Sequence, residues 1–597
     1  MSMAAAGKKA MSKPKKKAKT SKVKKVAKKI KSAHEIEKAR FSRAVSAFFR
    51  RLDFVRVKTD GKEVKFKGRT GELDDVFVYQ NIVVVCEYTV GQPSSEHVGK
   101  KSLLWNLIEE NHADWVEYLR STFPAFSQIL DSSDFDLSEY RVRVCYVSKN
   151  AVSDEVISCV KKTKFLDLTT FRYFDALAKT IHKSARFEFF AYLNFKFKEI
   201  GEEIKNTSQD AKQFRGFLLP STFSSFPSGF KVVSFYADPN TLLSMSYVLR
   251  RDSWRDPEGM YQRVLMKGRM KEMRKYLTTQ ERVFVNNIIV TLPNETMIND
   301  LAISGKNLSD DESKLVQPIT VSVPRTSNVI GIVDGQHRVY CYHEGVDEYE
   351  KQIRKIRSRQ NLLVTGIIYP KNYGEQDRQR FEAKLFLEIN DKQKKAKSDL
   401  KQSIELILNP YSNTAIAKRV VERLNATGAL RGMLQTNYFD PPNLIRTTSI
   451  VAYGLRPLVK VGSKESMFQT WSKSNKQLLV DKQKGGSGDA SDELLIEYVD
   501  YCVKSINALL VAVKKEIGSE KWALADKPKD RHLTPTLING LLVCLRLLIG
   551  QKKLYAQATY EELLQGFHSF GYKKYKSSQW SALGTKIYNE YFLNTDA

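Results

Sequence analysis

Short runs of β-branched and apolar residues alternate with stretches of helical periodicity along much of the chain, and this alternation restricts the fold more than any other feature. Val76–Tyr79 and Ile82–Cys86 are two such runs, separated only by Gln80-Asn81, and they predict two adjacent strands. Strand runs that alternate with helical patterns are typical of α/β proteins. A length of 597 residues exceeds one compact core. We therefore expect an α/β multidomain protein.

The residue pattern divides the chain into four predicted parts. Residues 1–33 form a low-complexity, lysine-rich tail that we expect to be disordered, because like charges at this density repel one another. Residues 34–205 and 206–400 each combine strand and helix patterns, which predicts two α/β domains. Residues 401–597 are mostly helical in pattern, with a flexible glycine-rich linker near 483–491.

The charge of the chain is strongly positive, at +30. Residues 1–31 hold 13 lysines and no acid, and subtracting these from +30 leaves +17 on the remainder. A positive tail on a positive body gathers polyanions by counterion release, which favours DNA as a partner. For the tail alone, the alternative is that it only aids solubility.

The cysteines and the apolar runs indicate the compartment. The six cysteines are scattered and form no CxxC pair, which argues against a zinc ribbon and for thiols kept reduced. No apolar run approaches the roughly 20 residues that span a bilayer. We expect a cytoplasmic, nucleoid-associated protein with no membrane partner.

A glycine turn lies between a predicted strand at 328–333 and a predicted helix, and it carries the segment Asp334-Gly335-Gln336-His337-Arg338. Free amides at a helix N-terminus attract phosphate, and a glycine lets the backbone approach the ligand. His337 and Arg338 would add hydrogen-bond donors and charge. The alternative is that Asp334 only caps the helix while Arg338 lies on the surface.

Two further segments accompany this turn in a characteristic order. Gln262 and Arg263 precede it, and Asn390 and Gln393 follow it in a helical stretch. The set resembles the DGQHR-domain family, which is DndB-like and similar to the ParB/sulfiredoxin nucleotide-binding fold. The resemblance covers roughly 217–408.

The resemblance implies a DNA-associated protein of a prokaryotic DNA-modification or anti-phage (phage defence) system. It implies that the turn holds the phosphate of ATP or another nucleotide, with Gly335, His337 and Arg338 as the main contacts. For Asn390 and Gln393 it implies family membership alone, and capping or a buried hydrogen bond is an equal alternative.

Two acids flank the first predicted hairpin, Asp74 and Glu87, 13 residues apart. On adjacent strands this spacing brings carboxylates together, and such a pair can hold Mg²⁺. The pattern resembles the PD-(D/E)XK nuclease core. That fold has a lysine two residues after the glutamate, where this chain has Thr89. Lys100 or Lys101, at the start of the next predicted helix, is the candidate replacement.

Three functions stay open on the sequence alone. The first is a DNA-binding regulator, in which the central domain senses nucleotide or modified DNA. The second is an enzyme, either a Mg²⁺-dependent nuclease, with Glu35 or Glu37 as a further ligand, or a nucleotide hydrolase (ATPase). The third is a scaffold for other proteins of a modification or defence operon, docked on the helical last third. The apolar stretch Ile538–Ile549 is a candidate docking stripe, although such a stripe is more often core than interface.

Overall fold

The computed structural model describes residues 32–59, 62–204, 210–248, 265–301, 306–308, 314–390, 398–436, 439–485, 492–524 and 533–593. The predicted tail through residue 31 lies outside these segments, as does the predicted linker from residue 486 to 491.

In the described residues, the first domain has seven strands and seven α-helices. Its strands are β1 (Val55–Lys58), β2 (Glu63–Phe66), β3 (Arg69–Glu72), β4 (Asp75–Tyr79), β5 (Ile82–Thr89), β6 (Arg141–Ser148) and β7 (Lys164–Leu166). Its helices are α1 (Ala33–Arg51), α2 (Ser95–Glu110), α3 (His112–Thr122), α4 (Pro124–Asp131), α5 (Asp154–Ser158), α6 (Leu168–Ile181) and α7 (Arg186–Tyr192).

The main sheet of this domain has the order β1-β4-β5-β6-β7. The β1–β4 and β4–β5 pairs are antiparallel, whereas the β5–β6 and β6–β7 pairs are parallel. Helices α2 to α4 pack on one face, and α1, α6 and α7 pack on the other. Strand β5 is covered on both faces, which explains its continuous run of β-branched residues.

The second domain is built on a larger mixed sheet. Its strands are β8 (Ala211–Pro220), β9 (Lys231–Ala237), β10 (Ser246–Tyr247), β11 (Ile288–Leu292), β12 (Met297–Asp300), β13 (Gln317–Pro324), β14 (Ile330–Asp334) and β15 (Leu362–Ile368). Its helices are α8 (Ser221–Ser224), α9 (Pro239–Met245), α10 (Lys267–Gln280), α11 (Gln336–Tyr340), α12 (Glu350–Arg357) and α13 (Glu375–Asn390).

The eight strands of this sheet have the order β10-β14-β11-β15-β9-β8-β13-β12. Only the β10–β14 and β11–β15 neighbours are parallel within the described part of this sheet. One continuous apolar core joins this sheet to the α1, α6 and α7 side of the first domain. The two α/β units therefore share a core. Their two separate sheets, each combined with helices, confirm an α/β multidomain protein.

The remaining elements are almost all helices. They are α14 (Ser398–Leu408), α15 (Asn413–Ala426), α16 (Arg456–Leu458), α17 (Met467–Thr470), α18 (Gln477–Gln483), α19 (Asp492–Ile517), α20 (Pro535–Gly550), α21 (Gln557–Leu563) and α22 (Trp580–Tyr591). Two-residue strands β16 (Leu434–Gln435) and β17 (Ile445–Arg446) pair with each other.

Most of these helices surround a separate apolar core. The apolar stretch Ile538–Ile549 belongs to α20 and lies largely inside that core, so it is not an exposed docking stripe. Within the described segments, no helix combines the length and apolarity required to cross a membrane. All six cysteines are free thiols.

One predicted element is wrong in its extent. The helical pattern over 102–119 predicts a single helix, but the structure has two, because α2 ends at Glu110 and α3 begins at His112. Asn111 separates them with a non-helical backbone at φ −132° and ψ 64°. The apolar periodicity continues through this break, which is why the sequence hides it.

Candidate functional site

The β4–β5 hairpin places the two predicted acids side by side. Asp74 directly precedes β4, and its backbone N–H donates to the Cys86 carbonyl oxygen at 3.2 Å. The backbone N–H of Tyr88 donates to Oδ2 of Asp74 at 2.7 Å. These two bonds hold Asp74 against the stretch of β5 that carries Glu87. The hairpin therefore brings the carboxyl groups of Asp74 and Glu87 to the same place, as their spacing predicts.

Glu87 is a buried acid with a strongly shifted pKa. Its side chain faces the α2 side of the sheet, and the residue is only 3% exposed. Burial raises the pKa of Glu87 to about 7, and the nearby charge of Asp74 adds to the rise, while the Lys101 ammonium opposes it. A carboxyl group poised near neutral pH is typical of sites that bind cations or move protons.

Helix α2 supplies the cation that β5 lacks. The Nζ of Lys101 forms an ion pair with Oε2 of Glu87. Lys100, one residue earlier, points to the exposed side of the helix and pairs with Glu96 at 2.6 Å. Successive helical residues are rotated by about 100°, so only one of the two predicted lysines can reach the acids. In the structure, the lysine that contacts the acids is Lys101.

Further charged groups border this site. The Nζ of Lys38 on α1 lies 3.4 Å from Oδ1 of Asp74. Glu35 is engaged in a capping box with Ser32 at the start of α1, and Glu37 pairs with Lys149. In the structure, the two α1 acids therefore contact groups other than Asp74 and Glu87.

Asp75 is a third buried carboxylate, which the sequence reasoning missed. It lies on the other face of the hairpin, where Nε of Arg56 donates to Oδ1 at 2.5 Å and the Tyr88 hydroxyl donates to Oδ2 at 2.8 Å. Burial raises the pKa of Asp75, although the Arg56 and Tyr88 bonds oppose the rise. The consecutive acids Asp74-Asp75 were the available signal, since alternation along a strand places neighbours on opposite faces.

The donor set fits a divalent cation only in part. Asp74 and Glu87 are hard oxygen ligands of the type that Mg²⁺ prefers. Among the described residues, no group of three or more His, Cys, Asp or Glu side chains is arranged to hold a metal. A cation at this pair would therefore complete its coordination with backbone oxygen, water or substrate. Thr89 contributes no charge, and its hydroxyl donates to the Gly91 carbonyl oxygen at 3.3 Å.

The central glycine turn has the local geometry that the sequence predicts. Strand β14 ends at Asp334, Gly335 adopts φ 98°, and α11 begins at Gln336. A Cβ on Gly335 would lie 2.7 Å from Cδ1 of Ile288 and 3.1 Å from Nη2 of Arg338. The position therefore requires glycine for its backbone angle and for lack of space.

Arg338 is already paired within the turn. Its Nη2 donates to Oδ2 of Asp334 at 2.8 Å, so the guanidinium folds back over the glycine. Helix α11 has only five residues, and the N–H groups of Arg338 and Val339 both donate to the Gly335 carbonyl oxygen. Gln336 is buried, and His337 is half-buried beside it. A phosphate would have to compete with Asp334 for Arg338.

The other expected members of this site cannot be placed beside the turn. Gln262, Arg263 and Gln393 lie outside the described residues. Asn390 is the last residue of α13, and its side chain also lies outside the description.

A buried arginine network holds the segment that follows the turn, and the sequence reasoning did not find it. Arg274 on α10 is fully buried and makes a bidentate pair with Asp347 at 2.8 and 2.9 Å. Its Nη1 also donates to the carbonyl oxygens of Cys341 and His343 at 3.0 and 2.7 Å. The partners are about 70 residues apart along the chain, so no local pattern reveals them.

The same segment contacts the first domain. Nη2 of Arg186 pairs with Oε1 of Glu344 at 2.7 Å. The backbone N–H of Glu344 donates to the Ser184 hydroxyl oxygen at 2.9 Å, and its carbonyl oxygen accepts from the Lys183 N–H at 3.2 Å. The chain just beyond the glycine turn is thus fixed to the α6–α7 connection of the first domain.

A buried carboxyl group lies under the second sheet. Glu382 on α13 accepts hydrogen bonds from the hydroxyls of Thr291, Tyr369 and Tyr247, at 2.5, 2.8 and 3.0 Å. Burial raises the pKa of Glu382. Because three hydroxyl groups of the protein donate to it, the Glu382 carboxyl group is best explained as a structural contact that holds α13 on the sheet.

Comparison with known proteins adds no assignment to this geometry. No family model matches the chain, and neither a curated protein nor a solved structure matches it significantly.

Proposed function

We propose that the protein is DNA-associated and that its first domain is a PD-(D/E)XK-like nuclease domain, which cleaves phosphodiester bonds with a divalent metal ion. One observation carries the proposal: Lys101 pairs with Glu87 beside Asp74. Two carboxylates and one ammonium then converge at one end of a buried hairpin. This is the set of charges that metal-assisted hydrolysis of a phosphodiester requires.

Each of the three side chains has a chemical role in this proposal. Asp74 and Glu87 would hold Mg²⁺, which orients a water molecule and offsets charge on the scissile phosphate. Lys101 supplies the positive charge that Thr89 cannot, and it is about two turns into α2, where the helix backbone fixes its position. Because the pKa of Glu87 lies near 7 without metal, cation binding would displace its proton near neutral pH.

Net charge supports DNA as the substrate class. The chain carries +30 overall, and a strongly basic protein attracts a polyanion over long range. Binding without cleavage uses the same charge, so the acids and not the charge distinguish a nuclease from a DNA-binding regulator.

A plasmid assay tests the proposal. Purified full-length protein is incubated with supercoiled plasmid and Mg²⁺ or Mn²⁺, and wild type is compared with the Asp74→Ala plus Glu87→Ala variant. We expect nicking or linearisation by wild type alone, with both proteins retaining a gel shift. A gel shift without any cutting by wild type would refute the nuclease and leave the DNA-binding regulator.

The central turn supports a second proposal, which is membership in the DGQHR-domain family with nucleotide phosphate bound at the turn. The supporting observation is the strand–glycine–helix geometry at Gly335, where the Arg338 guanidinium covers the backbone. The role in DNA modification or phage defence rests on the family resemblance. A thermal shift with ATP should occur in wild type and vanish in Arg338→Ala, and an equal shift in both proteins would exclude this turn.

A further inference from the structure

We propose that a cavity at the far edge of the first sheet is a second anion site, which takes the phosphate of a nucleotide-sized ligand. The cavity has a volume of about 600 Å³ and lies between β7, α5 and the segment after α7. This volume falls within the roughly 300–1,000 Å³ of typical small-ligand pockets. Four cationic side chains line it: Arg143, Lys161, Lys162 and Lys164.

Of the four cations, Arg143 is paired with the buried carboxylate of Glu109, whose Oε1 lies 3.5 Å from Nη1 of Arg143, whereas the three lysines are not paired in the described part of the chain. Within the described segments, Lys161, Lys162 and Lys164 have no carboxylate at ion-pair distance. Burial lowers the pKa of Lys164, and the nearby Arg143 charge lowers it further. Like charges held this close repel one another, so a bound anion would relieve the repulsion.

Among the described residues that line the cavity, Asp167 is the single acid, and it is already engaged. Oδ1 of Asp167 accepts from the Thr170 N–H at 2.9 Å and from the Thr169 hydroxyl at 3.2 Å. Asp167 therefore caps α6, and its charge interacts with the start of that helix. It does not neutralise the lysines.

An unsatisfied buried hydroxyl is the second, independent sign of a ligand. Thr163 lines the cavity and is only 6% exposed, yet its Oγ1 has no hydrogen-bond partner among the described residues. A buried polar atom without a partner is rare in folded proteins. A phosphate oxygen in the cavity would accept the hydrogen bond that this hydroxyl lacks.

The remaining wall indicates what else the ligand carries. Val152, Ile157, Val160 and Phe165 form an apolar side of the cavity. A phosphate joined to a sugar and a base would place its charged end on the lysines and its less polar end on this wall. The strand order places β7 at the edge, two strands from the β5 acids, so this site is separate from the proposed cleavage site.

Isothermal titration calorimetry on the full-length protein in EDTA tests the proposal without cleavage. The probes are adenosine monophosphate, inorganic phosphate and a short DNA duplex. The Lys162→Gln plus Lys164→Gln variant should weaken adenosine monophosphate binding about tenfold or more. Lys351→Gln plus Lys355→Gln removes two charges from exposed lysines on α12; it is the matched charge control and should leave the affinity unchanged.

Thr163→Val tests the hydroxyl by itself. The side chain keeps its shape, so the melting temperature should stay level or rise, whereas adenosine monophosphate binding should weaken several-fold. If only the duplex binds and the same variants weaken it, the phosphate source is the nucleic-acid backbone. Absence of binding by all probes, binding unaffected by these variants, or binding lost only in Arg338→Ala would overturn the proposal.

Discussion

The choice between Lys100 and Lys101 is made at the level of single residues. Both are lysines on one helix, but only Lys101 pairs with Glu87, and Lys100 pairs with Glu96. If cleavage uses this cation, Lys101→Met should lower the plasmid cleavage rate about a hundredfold or more. Lys100→Met removes the same charge one residue away and should retain nearly the wild-type rate. Equal losses in both variants would assign the effect to general DNA affinity.

The buried Glu87 makes stability depend on pH. In the unfolded chain this carboxyl ionises near 4.5, whereas burial raises its pKa in the folded protein to about 7. As pH rises from 4.5 to 7, the unfolded state loses its proton first, so the folded state loses stability, and above 7 the loss is constant. Glu87→Gln cannot ionise and should therefore be more stable than wild type above pH 7, by about 3 kcal/mol.

Urea unfolding in EDTA at pH 4.5 and pH 8 measures this difference. The advantage of Glu87→Gln should be small at the lower pH and full at the higher one. Lys101 keeps access to water, with its side chain 31% exposed, so losing its partner costs little. An advantage independent of pH would contradict the shifted pKa.

The two acids of the candidate site could be predicted from the sequence, but the choice of the lysine that pairs with them could not. The spacing of Asp74 and Glu87 around a two-residue turn fixes their approach, because hairpin register follows from turn length. The choice of Lys101 depends on the rotation of α2 against the sheet. The Arg274–Asp347 pair depends on tertiary packing between distant segments, which leaves no periodic signal.

At the level of elements, the β14–α11 turn depends on one glycine. Gly335→Ala would place Cβ 2.7 Å from Ile288 at φ 98°, so it combines backbone strain with a clash. We expect a loss of about 2–3 kcal/mol in the free energy of unfolding. Gly566→Ala is the matched control, because φ is 82° there and nothing lies within 4 Å of the added Cβ. It should cost about 1 kcal/mol.

Chemical denaturation of both variants provides the comparison. An equal loss in the two would show that the backbone angle alone determines the cost and that Ile288 and Arg338 yield to the methyl group. A larger loss for Gly335→Ala would confirm that the turn is packed closely against β11.

The elements that the sequence predicts well are those with an undisturbed pattern. The apolar run Ile82–Cys86 predicts a strand and the pattern over 375–389 predicts a helix, and both form, as β5 and as α13 (Glu375–Asn390). β8 (Ala211–Pro220) was not predicted, since its apolar residues are interrupted by Gly216 and it ends in a proline. Its pairing with β9 and β13 supplies the stability that its own sequence does not show.

At the level of the whole molecule, the apolar cores do not follow the predicted domain divisions. One core runs from α1 and α6 of the first domain into the second sheet, and helices α15 to α22 enclose another. The sequence predicts where patterns change, near 205 and 400, but burial between domains is decided by faces that meet only in the folded chain. The Arg186–Glu344 pair adds a polar contact to the same junction.

Truncating a side chain in a core should speed amide hydrogen exchange in every element that shares that core. The shared core and the helical core therefore predict different sets of affected elements. Leu292→Ala on β11 removes a side chain from the shared core, and Leu545→Ala on α20 removes one from the helical core. Each should cost about 2–5 kcal/mol. Because a core opens cooperatively, Leu292→Ala should speed amide hydrogen exchange in α6 as well as in β11, whereas Leu545→Ala should speed it only among the helices beyond 398. Mass spectrometry of peptides from the exchanged protein measures both ranges, and unchanged exchange in α6 of Leu292→Ala would show that the two α/β units open independently.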